Sequence, residues 1–171
     1  MAIPDASTLI ALAKMQRLAM LRDVYKKLTI GPVVKREVID AGRAISAPGV
    51  EQVEEALEEG WLLVTSLNSR ERKTMGRILR NTRLDEGEAE CIALAQPRRE
   101  VLIVDDKEAR ALAAAMNLEY LGTAAVFLRA FLEHRLKMRD LEDAIDELSR
   151  TIWLSPAVVA DILKKAREAE K

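Results

Sequence analysis

The segment from Val101 to Asp106 constrains the fold of this chain more than any other. Four apolar, mostly β-branched residues run directly into the paired acids Asp105 and Asp106. A short, continuous apolar run is typical of a strand that is buried on both faces, as in a parallel sheet. Acids that follow such a strand lie at the carboxyl edge of the sheet, where open α/β folds bind their ligands. Two adjacent carboxylates repel each other and commonly share a cation, although either acid could instead cap the next helix.

The rest of the chain alternates short strands with helices, which predicts an α/β fold of three α/β/α layers around a parallel sheet of four to five strands. Ser7 or Thr8 is expected to cap the first helix, and Gly42 to end the helix that begins at Pro32. From about Met138 onward the pattern is purely helical. We therefore expect a main domain over residues 1–137, with residues 138–171 forming a C-terminal helical hairpin packed on it.

Residue counts narrow the chemistry available to this 171-residue chain. A single cysteine, Cys91, excludes an internal disulfide, and a single histidine, His134, argues against zinc hydrolase chemistry and histidine-based triads. Hydrolysis would therefore depend on carboxylates, whose hard oxygens favour Mg²⁺ or Mn²⁺. The net charge of −1 means that any nucleic-acid contact must come from a local patch. Because no apolar run or leader pattern suits a membrane, we expect a cytoplasmic protein.

Acids from distant parts of the sequence are expected to meet at the carboxyl edge of the sheet. Asp5 follows the first strand, Glu37 lies in the helix after the second, and Glu88 lies in the first turn of the helix before the central strand. With Asp105 and Asp106 they could line one pocket, because strands one and four can be neighbours. Such a pocket could hold one or two divalent metals and activate water for attack at phosphorus. Each acid alone could also be a helix-start or solvated residue.

Four segments resemble, in order and spacing, the motifs of PIN-domain nucleases: Asp5–Ile10, Pro32–Val38, Leu84–Ala95 and Ile103–Arg110. Leu121-Gly122-Thr123, followed by a helix and a helical hairpin, is similar to a prokaryotic PIN branch with a C-terminal helical extension. The resemblance spans nearly the whole chain and implies a PIN-like fold and a Mg²⁺- or Mn²⁺-dependent ribonuclease. Such proteins are often VapC-type toxins of toxin–antitoxin pairs. RNA, a cognate antitoxin and a second copy of the chain in a homodimer are therefore the expected partners.

The resemblance also implies roles for individual residues. By position, the catalytic acids would be Asp5, Glu37, Glu88 and Asp105. The metal ligands would be Asp5, Glu88, Asp105 and Asp106, with Asp106 able to assist or replace Asp105 because the motif tolerates an acid or an amide at one of these positions. Ser7 and Thr123 would be polar residues that support the acids.

The sequence departs from the family pattern in two places. Pro4 stands directly before Asp5, where a longer β-branched strand is usual, so the first strand is expected to be short or shifted. Glu90 competes with Glu88 for the place of the third acid. We prefer Glu88, because it follows Gly87 at the start of a helix and can point into the pocket.

A helix predicted to begin at Ser69 is rich in basic residues. One face of it carries Arg70, Lys73, Arg77 and Arg80. This row could bind RNA phosphates, or it could equally be a solvated face without aromatic residues for base stacking. The chain could also be a nonhydrolytic protein-binding or RNA-binding module, although all four acidic positions are filled. A receiver-type phosphorylation domain is disfavoured, because the acid pair comes late and Gly122-Thr123 follows the last strand.

Overall fold

A five-stranded, all-parallel sheet forms the centre of the computed structural model, which describes residues 1–170. The strands are β1 (Ala2–Pro4), β2 (Leu28–Ile30), β3 (Leu62–Val64), β4 (Val101–Ile103) and β5 (Tyr120–Leu121). They lie in the order β3-β2-β1-β4-β5. This architecture confirms the predicted α/β class and the number of strands. Lys171, the last residue of the predicted extension, lies outside the described residues.

The pairing of β1 with β4 brings together the first and the last of the four motifs named above. Ala2 pairs with Val101 and Pro4 pairs with Ile103, in parallel register. The backbone N–H of Asp5 then donates to the carbonyl oxygen of Ile103 at 3.0 Å. Because both strands end at the same edge, the residues that follow them emerge side by side. The expected adjacency of strands one and four is confirmed, and β1 is as short as Pro4 predicted.

Helices cover both faces of the sheet, as expected for parallel strands. One group contains α1 (Ala6–Lys14), α2 (Ala19–Tyr25), α5 (Val50–Glu58) and α9 (Thr123–Leu132), together with α10 (Met138–Thr151) and α11 (Pro156–Ala169). In this group α2, α10 and α11 pack on α9, while α1 contacts α5 and α10. The other group contains α6 (Ser69–Asn81), α7 (Glu86–Arg98) and α8 (Lys107–Ala115). There α7 packs on α6, α8 and strands β1 and β4.

Two expected helix boundaries were wrong. Asp5, rather than Ser7 or Thr8, caps α1, because its carboxylate accepts the backbone N–H of Thr8. Gly42 does not end a helix but lies in α4 (Ala41–Ala44), which continues α3 (Pro32–Lys35) through a π-helical segment (Arg36–Asp40). Gly42 is needed for close packing, since a Cβ there would lie 2.7 Å from Cγ2 of Val50.

The C-terminal helices are built into the same core as the sheet. Helix α10 buries one apolar stripe, consisting of Leu141, Ala144, Ile145 and Leu148. Helix α11 begins as predicted, with Ser155 as its cap and Pro156 in its first turn, and it buries Ile162 and Ala166. Within residues 1–170, no helix combines the length and apolarity needed to cross a membrane.

Candidate active site

Asp5 lies at the junction of β1 and α1 and is almost fully buried, with 4% of its surface exposed. Its Oδ1 accepts the backbone N–H of Thr8 at 2.8 Å, and its Oδ2 accepts the hydroxyl of Ser7 at 2.9 Å. Burial raises the pKa of the Asp5 carboxyl; the hydrogen bonds from Thr8 and Ser7 oppose this rise, and the charge of Asp105 adds to it. The carboxylate is thus held in one orientation beside a second acid.

Asp105 is held from the adjacent strand end by the first residue of α9. Its Oδ1 accepts the backbone N–H of Thr123 at 3.0 Å, and its Oδ2 accepts the Thr123 hydroxyl at 2.5 Å. Gly122 allows this approach, because a Cβ there would lie 2.6 Å from Oδ1 of Asp105. The Thr123 hydroxyl also lies 3.0 Å from that of Thr8. A buried Thr8–Thr123 contact therefore links the supports of Asp5 and Asp105.

Glu88 lies in the first turn of α7, where it forms a capping box with Asp85. The backbone N–H of Asp85 donates to Oε2 of Glu88 at 3.1 Å, and the N–H of Glu88 donates to Oδ1 of Asp85 at 2.8 Å. Burial raises the pKa of Glu88 to about 7, and the negative charges of Asp85, Asp106 and Asp5 contribute to the rise. Glu88 therefore lies within the electrostatic field of the acids that follow β1 and β4.

Glu37 reaches the start of α7 from the π-helical segment. A Cβ on Gly87 would lie 2.5 Å from Oε2 of Glu37, so the carboxylate rests directly on the Gly87 backbone. Burial raises the pKa of Glu37, and the charge of Asp85 raises it further, while Arg36 opposes the rise. π-Helical turns are rare and occur frequently at functional sites. The structure thus brings Glu37 beside the residue that precedes Glu88.

Glu90 has a different environment from Glu88, although the two acids are only two residues apart. It is fully buried, and its carboxylate accepts the backbone N–H groups of Val33 and Val34 at 3.0–3.1 Å. These bonds cap the N-terminus of α3, which has no capping side chain of its own. With its oxygens engaged in this way, Glu90 serves the fold, and this favours Glu88 as the third acid of the site.

Asp106 is placed as the cap of α8. Its Oδ1 accepts the backbone N–H of Ala109 at 2.8 Å, and the residue is exposed. Asp106 therefore caps α8, which is one of the two roles that the sequence allows for it. The carboxylate also raises the pKa of Glu88, so its charge acts on the acid cluster while one oxygen holds the helix.

The sequence was compared with protein-family models and with curated proteins. The model of the DUF3368 family, described as a PIN domain, matches residues 1–168. The chain belongs to the PIN-domain family. PIN domains are typically nucleases that use divalent metal ions. A search of curated proteins found no match to the sequence.

The four proposed catalytic acids of this PIN domain form no ion pairs within the described residues, although the charge of Arg36 lowers the pKa of Glu37. Within residues 1–170, none of the lysine, arginine or histidine side chains forms an ion pair with Asp5, Glu37, Glu88 or Asp105. The described residues also contain no group of three or more acids, histidines or cysteines gathered closely enough to hold a metal by themselves. The donor chemistry nevertheless fits Mg²⁺ or Mn²⁺, because Mg²⁺ prefers carboxylate oxygens and keeps several of its waters.

The basic row on α6 is solvated along its length. Its four members are all exposed, and none of them forms an ion pair within the described residues: Arg70, Lys73, Arg77 and Arg80. The only side-chain hydrogen bond of these residues within residues 1–170 is from Arg77 Nη2 to the hydroxyl of Thr74 at 3.4 Å. Both explanations of this row, a solvated face and a phosphate-binding surface, remain compatible with its placement.

The sequence alone does not identify two residues of the candidate site. Thr8 is predicted there only as a helix cap, yet its buried hydroxyl contacts Thr123. Asp85 is predicted only as a helix start, yet its charge raises the pKa of both Glu37 and Glu88. A signal for Asp85 was present in the spacing, because an acid three residues before Glu88 is the pattern of a capping box.

Proposed function

We propose that this PIN domain is a Mg²⁺- or Mn²⁺-dependent endoribonuclease that hydrolyses RNA phosphodiesters. One observation carries the proposal: acids from separate elements act on one another electrostatically at the sheet edge without an ion-pair partner among the described residues. Uncompensated carboxylates raise each other's pKa, and a divalent cation relieves that repulsion. The family to which the chain belongs supplies the reaction class.

Asp5, Glu88 and Asp105 are the proposed metal-holding acids, with Asp106 as an additional oxygen donor. When bound, a divalent ion would supply an activated water and positive charge for the phosphate that reacts. The chain itself orients the donors: Ser7 and Thr8 fix Asp5, and Thr123 fixes both oxygens of Asp105. Such hydrogen bonds to ligating carboxylates set ligand orientation and tune affinity.

Glu37 is the acid suited to proton handling at the same edge, because a metal-holding role requires Glu88 to be ionised. The pKa of Glu88 is about 7 without metal, and a bound divalent ion would lower it. Oε1 of Glu88 is the oxygen left for the metal, because Oε2 accepts the backbone N–H of Asp85. Glu37, which rests on Gly87, is the candidate to orient the attacking water and accept its proton. Hydrolysis forms a P–O bond to the water oxygen and breaks the P–O bond to the departing oxygen, and Glu37 can return the proton to that departing oxygen.

An RNA cleavage assay in Mn²⁺ tests the proposal. We expect wild-type protein to cleave, and Asp105→Asn and Glu88→Gln to lose more than the roughly 10- to 100-fold that removal of a supporting partner costs. Glu86→Gln is the matched control, because Glu86 lies in the same helical turn but is exposed and pairs with Arg36 at 3.0 Å. Equal cleavage by wild type, Asp105→Asn and Glu88→Gln would contradict the proposed site. A chain that binds RNA or protein without cleaving would instead be a nonhydrolytic binding module.

The biological role that we propose is that of the toxin in a toxin–antitoxin pair, acting as a homodimer in the cytoplasm. The support is the order of the four motifs and the helical extension after β5. Induced expression should arrest growth with the wild-type chain and not with Asp105→Asn. Rescue by co-expression of a short neighbouring reading frame would identify the antitoxin, and sedimentation equilibrium would measure the dimer. Growth that is unaffected by the active wild-type enzyme would instead favour housekeeping RNA processing.

A further inference from the structure

A groove of about 590 Å³ lies beside the candidate active site. It runs between the end of β5, the first turns of α8 and α9, and α11. Its wall includes Asp105, so it is continuous with the proposed catalytic edge. We call it the Trp153 groove; its polar and aromatic lining consists of Asp105, Lys107, Arg110, Tyr120, Trp153, Ser155, Asp161 and Lys165.

Trp153 is the most exposed large apolar side chain of the described residues, at 84%. It lies in the loop between α10 and α11, whose neighbouring residues Ile152 and Leu154 pack against the core. The backbone is therefore anchored while the indole remains uncovered. The other tryptophan, Trp61, is 8% exposed and donates its indole N–H to Glu59. Tryptophan is enriched at binding interfaces, and an uncovered indole on an anchored loop can present its ring to a ligand.

The groove is lined by three cations and two carboxylates, and the two cations on α8 are the ones placed to meet an anionic ligand. Lys107 and Arg110 form no ion pair within residues 1–170, whereas Lys165 is paired with Asp161 at 2.6 Å. The guanidinium of Arg110 lies 5.7 Å from the ring centroid of Tyr120, so a cation and an aromatic ring are presented together. Single-stranded nucleic acid is bound by this combination, with cations on the phosphates and aromatic rings under the bases.

We propose that the Trp153 groove holds a single-stranded part of the RNA substrate. Lys107 and Arg110 contact its phosphates, and one base stacks on the indole of Trp153. The inference rests on the proposed ribonuclease function, because Asp105 lines the same groove and would meet the phosphodiester that is cleaved. Stacking depends on the π-face that every base shares, so the groove selects single strands over duplexes and carries little sequence preference.

The groove differs in kind from the basic row on α6. The row from Arg70 to Arg80 offers exposed cations without an aromatic residue between them, as the sequence of α6 shows. It can therefore add only salt-dependent phosphate contacts. The Trp153 groove adds stacking, which survives at salt concentrations that screen surface charge. RNA affinity measured against salt concentration separates the two contributions.

Fluorescence titration with a short single-stranded RNA in EDTA tests the proposal without cleavage. We expect RNA to quench the emission of Trp153, because a stacked base covers the indole. Trp153→Ala should lose this quenching and bind about tenfold more weakly, as expected for one lost stacking contact. Trp153→Tyr should restore most of the affinity, since its ring can also stack. Arg110→Ala should weaken binding and reduce the dependence of affinity on salt.

Two control variants are matched to these substitutions. Leu132→Ala removes a 48% exposed apolar side chain at the far end of α9, and Arg139→Ala removes an exposed cation from α10. Neither should change RNA affinity or quenching. Trp153 is so exposed that its replacement should leave the melting temperature unchanged, and this is measured alongside.

The outcomes distinguish the proposal for the Trp153 groove from the proposed nuclease function. If the wild type cleaves RNA and Trp153→Ala has unchanged RNA affinity and KM, the groove proposal is overturned and the proposed function stands. Quenching and weakened binding without any cleavage in Mn²⁺ would support the groove and overturn the nuclease. No RNA binding by the wild type would overturn the groove. A wild-type dimer that Trp153→Ala converts to monomers, with RNA affinity unchanged, would show that the groove is occupied by a second copy of the chain.

Discussion

The carboxyl group of Glu88 links the charge of the site to the stability of the fold. Its pKa is raised to about 7, first by burial and then by the acids around it. A folded-state pKa above the unfolded value means that the folded chain binds the proton more tightly. The contribution of Glu88 to stability is therefore greatest at low pH, and it is lost as the pH rises from the ordinary glutamate pKa of 4.5 through about 7.

Replacing Glu88 by glutamine should make the metal-free protein more stable at pH 8 and leave it little changed at pH 5. The physical reason is that an ionised Glu88 is repelled by Asp106 and Asp5, whereas an amide carries no charge. Thermal melts in EDTA between pH 5 and pH 8 measure the difference between the two proteins. Asp5 and Glu37, whose pKa values are also raised in the wild type, are present in both proteins, so the difference reports the replacement of Glu88. If the difference in melting temperature did not grow with pH, the raised pKa of Glu88 would be contradicted. Added Mn²⁺ should strongly stabilise only the wild type.

Single residues show most clearly what the sequence could predict. Asp5 and Asp105 were identifiable because each follows a strand, and strand ends share an edge in a parallel sheet. Glu88 and Glu90 could be ranked only weakly, because both lie near the start of one helix. Their environments are distinguished by the N–H groups of Val33 and Val34, more than fifty residues away in the chain. Such partners depend on tertiary packing, which local sequence does not encode.

At the scale of elements, helices and strands were predictable and their junctions were less so. The capping box at the start of α7 and the Ser155-Pro156 start of α11 carry local signals, and both helices begin there. The π-helical segment that carries Glu37 has no such signal, because Gly42 suggested an earlier end to one ordinary helix. Gly42 instead lies within the continuing helix, where it packs against Val50 of α5. That contact depends on a later part of the chain.

Gly87→Ala tests the contact between the π-helical segment and α7. The new Cβ would lie 2.5 Å from Oε2 of Glu37 and would displace that carboxylate, which is the flexible end of its side chain. We therefore expect a folded protein with sharply reduced RNA cleavage. Gly76→Ala is the matched control on α6, where the nearest atom is Arg80 Nη1 at 3.4 Å. It should gain up to about 1 kcal/mol from helix propensity and keep full activity. Equal activity in both variants would exclude Glu37 from catalysis.

The whole molecule joins a five-stranded sheet to two C-terminal helices through α9. That helix begins at Thr123, which holds Asp105, and it is also the surface on which α10 and α11 pack. The loop between α10 and α11 carries Trp153 at the groove beside Asp105. The extension is therefore placed to influence both the stability of the core and the proposed substrate groove, and this joint role follows only from the three-dimensional arrangement.

Removing the extension should prevent the remaining chain from folding cooperatively. Helix α10 buries Leu141, Ile145 and Leu148, and three such side chains contribute roughly 5–9 kcal/mol. This is comparable to the roughly 5–15 kcal/mol of a whole domain. A fragment of residues 1–137 should thus show no sharp thermal transition by circular dichroism. In the full chain, Leu148→Ala should cost about 2–5 kcal/mol, while Asp143→Ala on the exposed face of α10 should cost under about 0.5 kcal/mol. A fragment that melts cooperatively would mean that residues 1–137 are an independent domain to which the extension is merely attached.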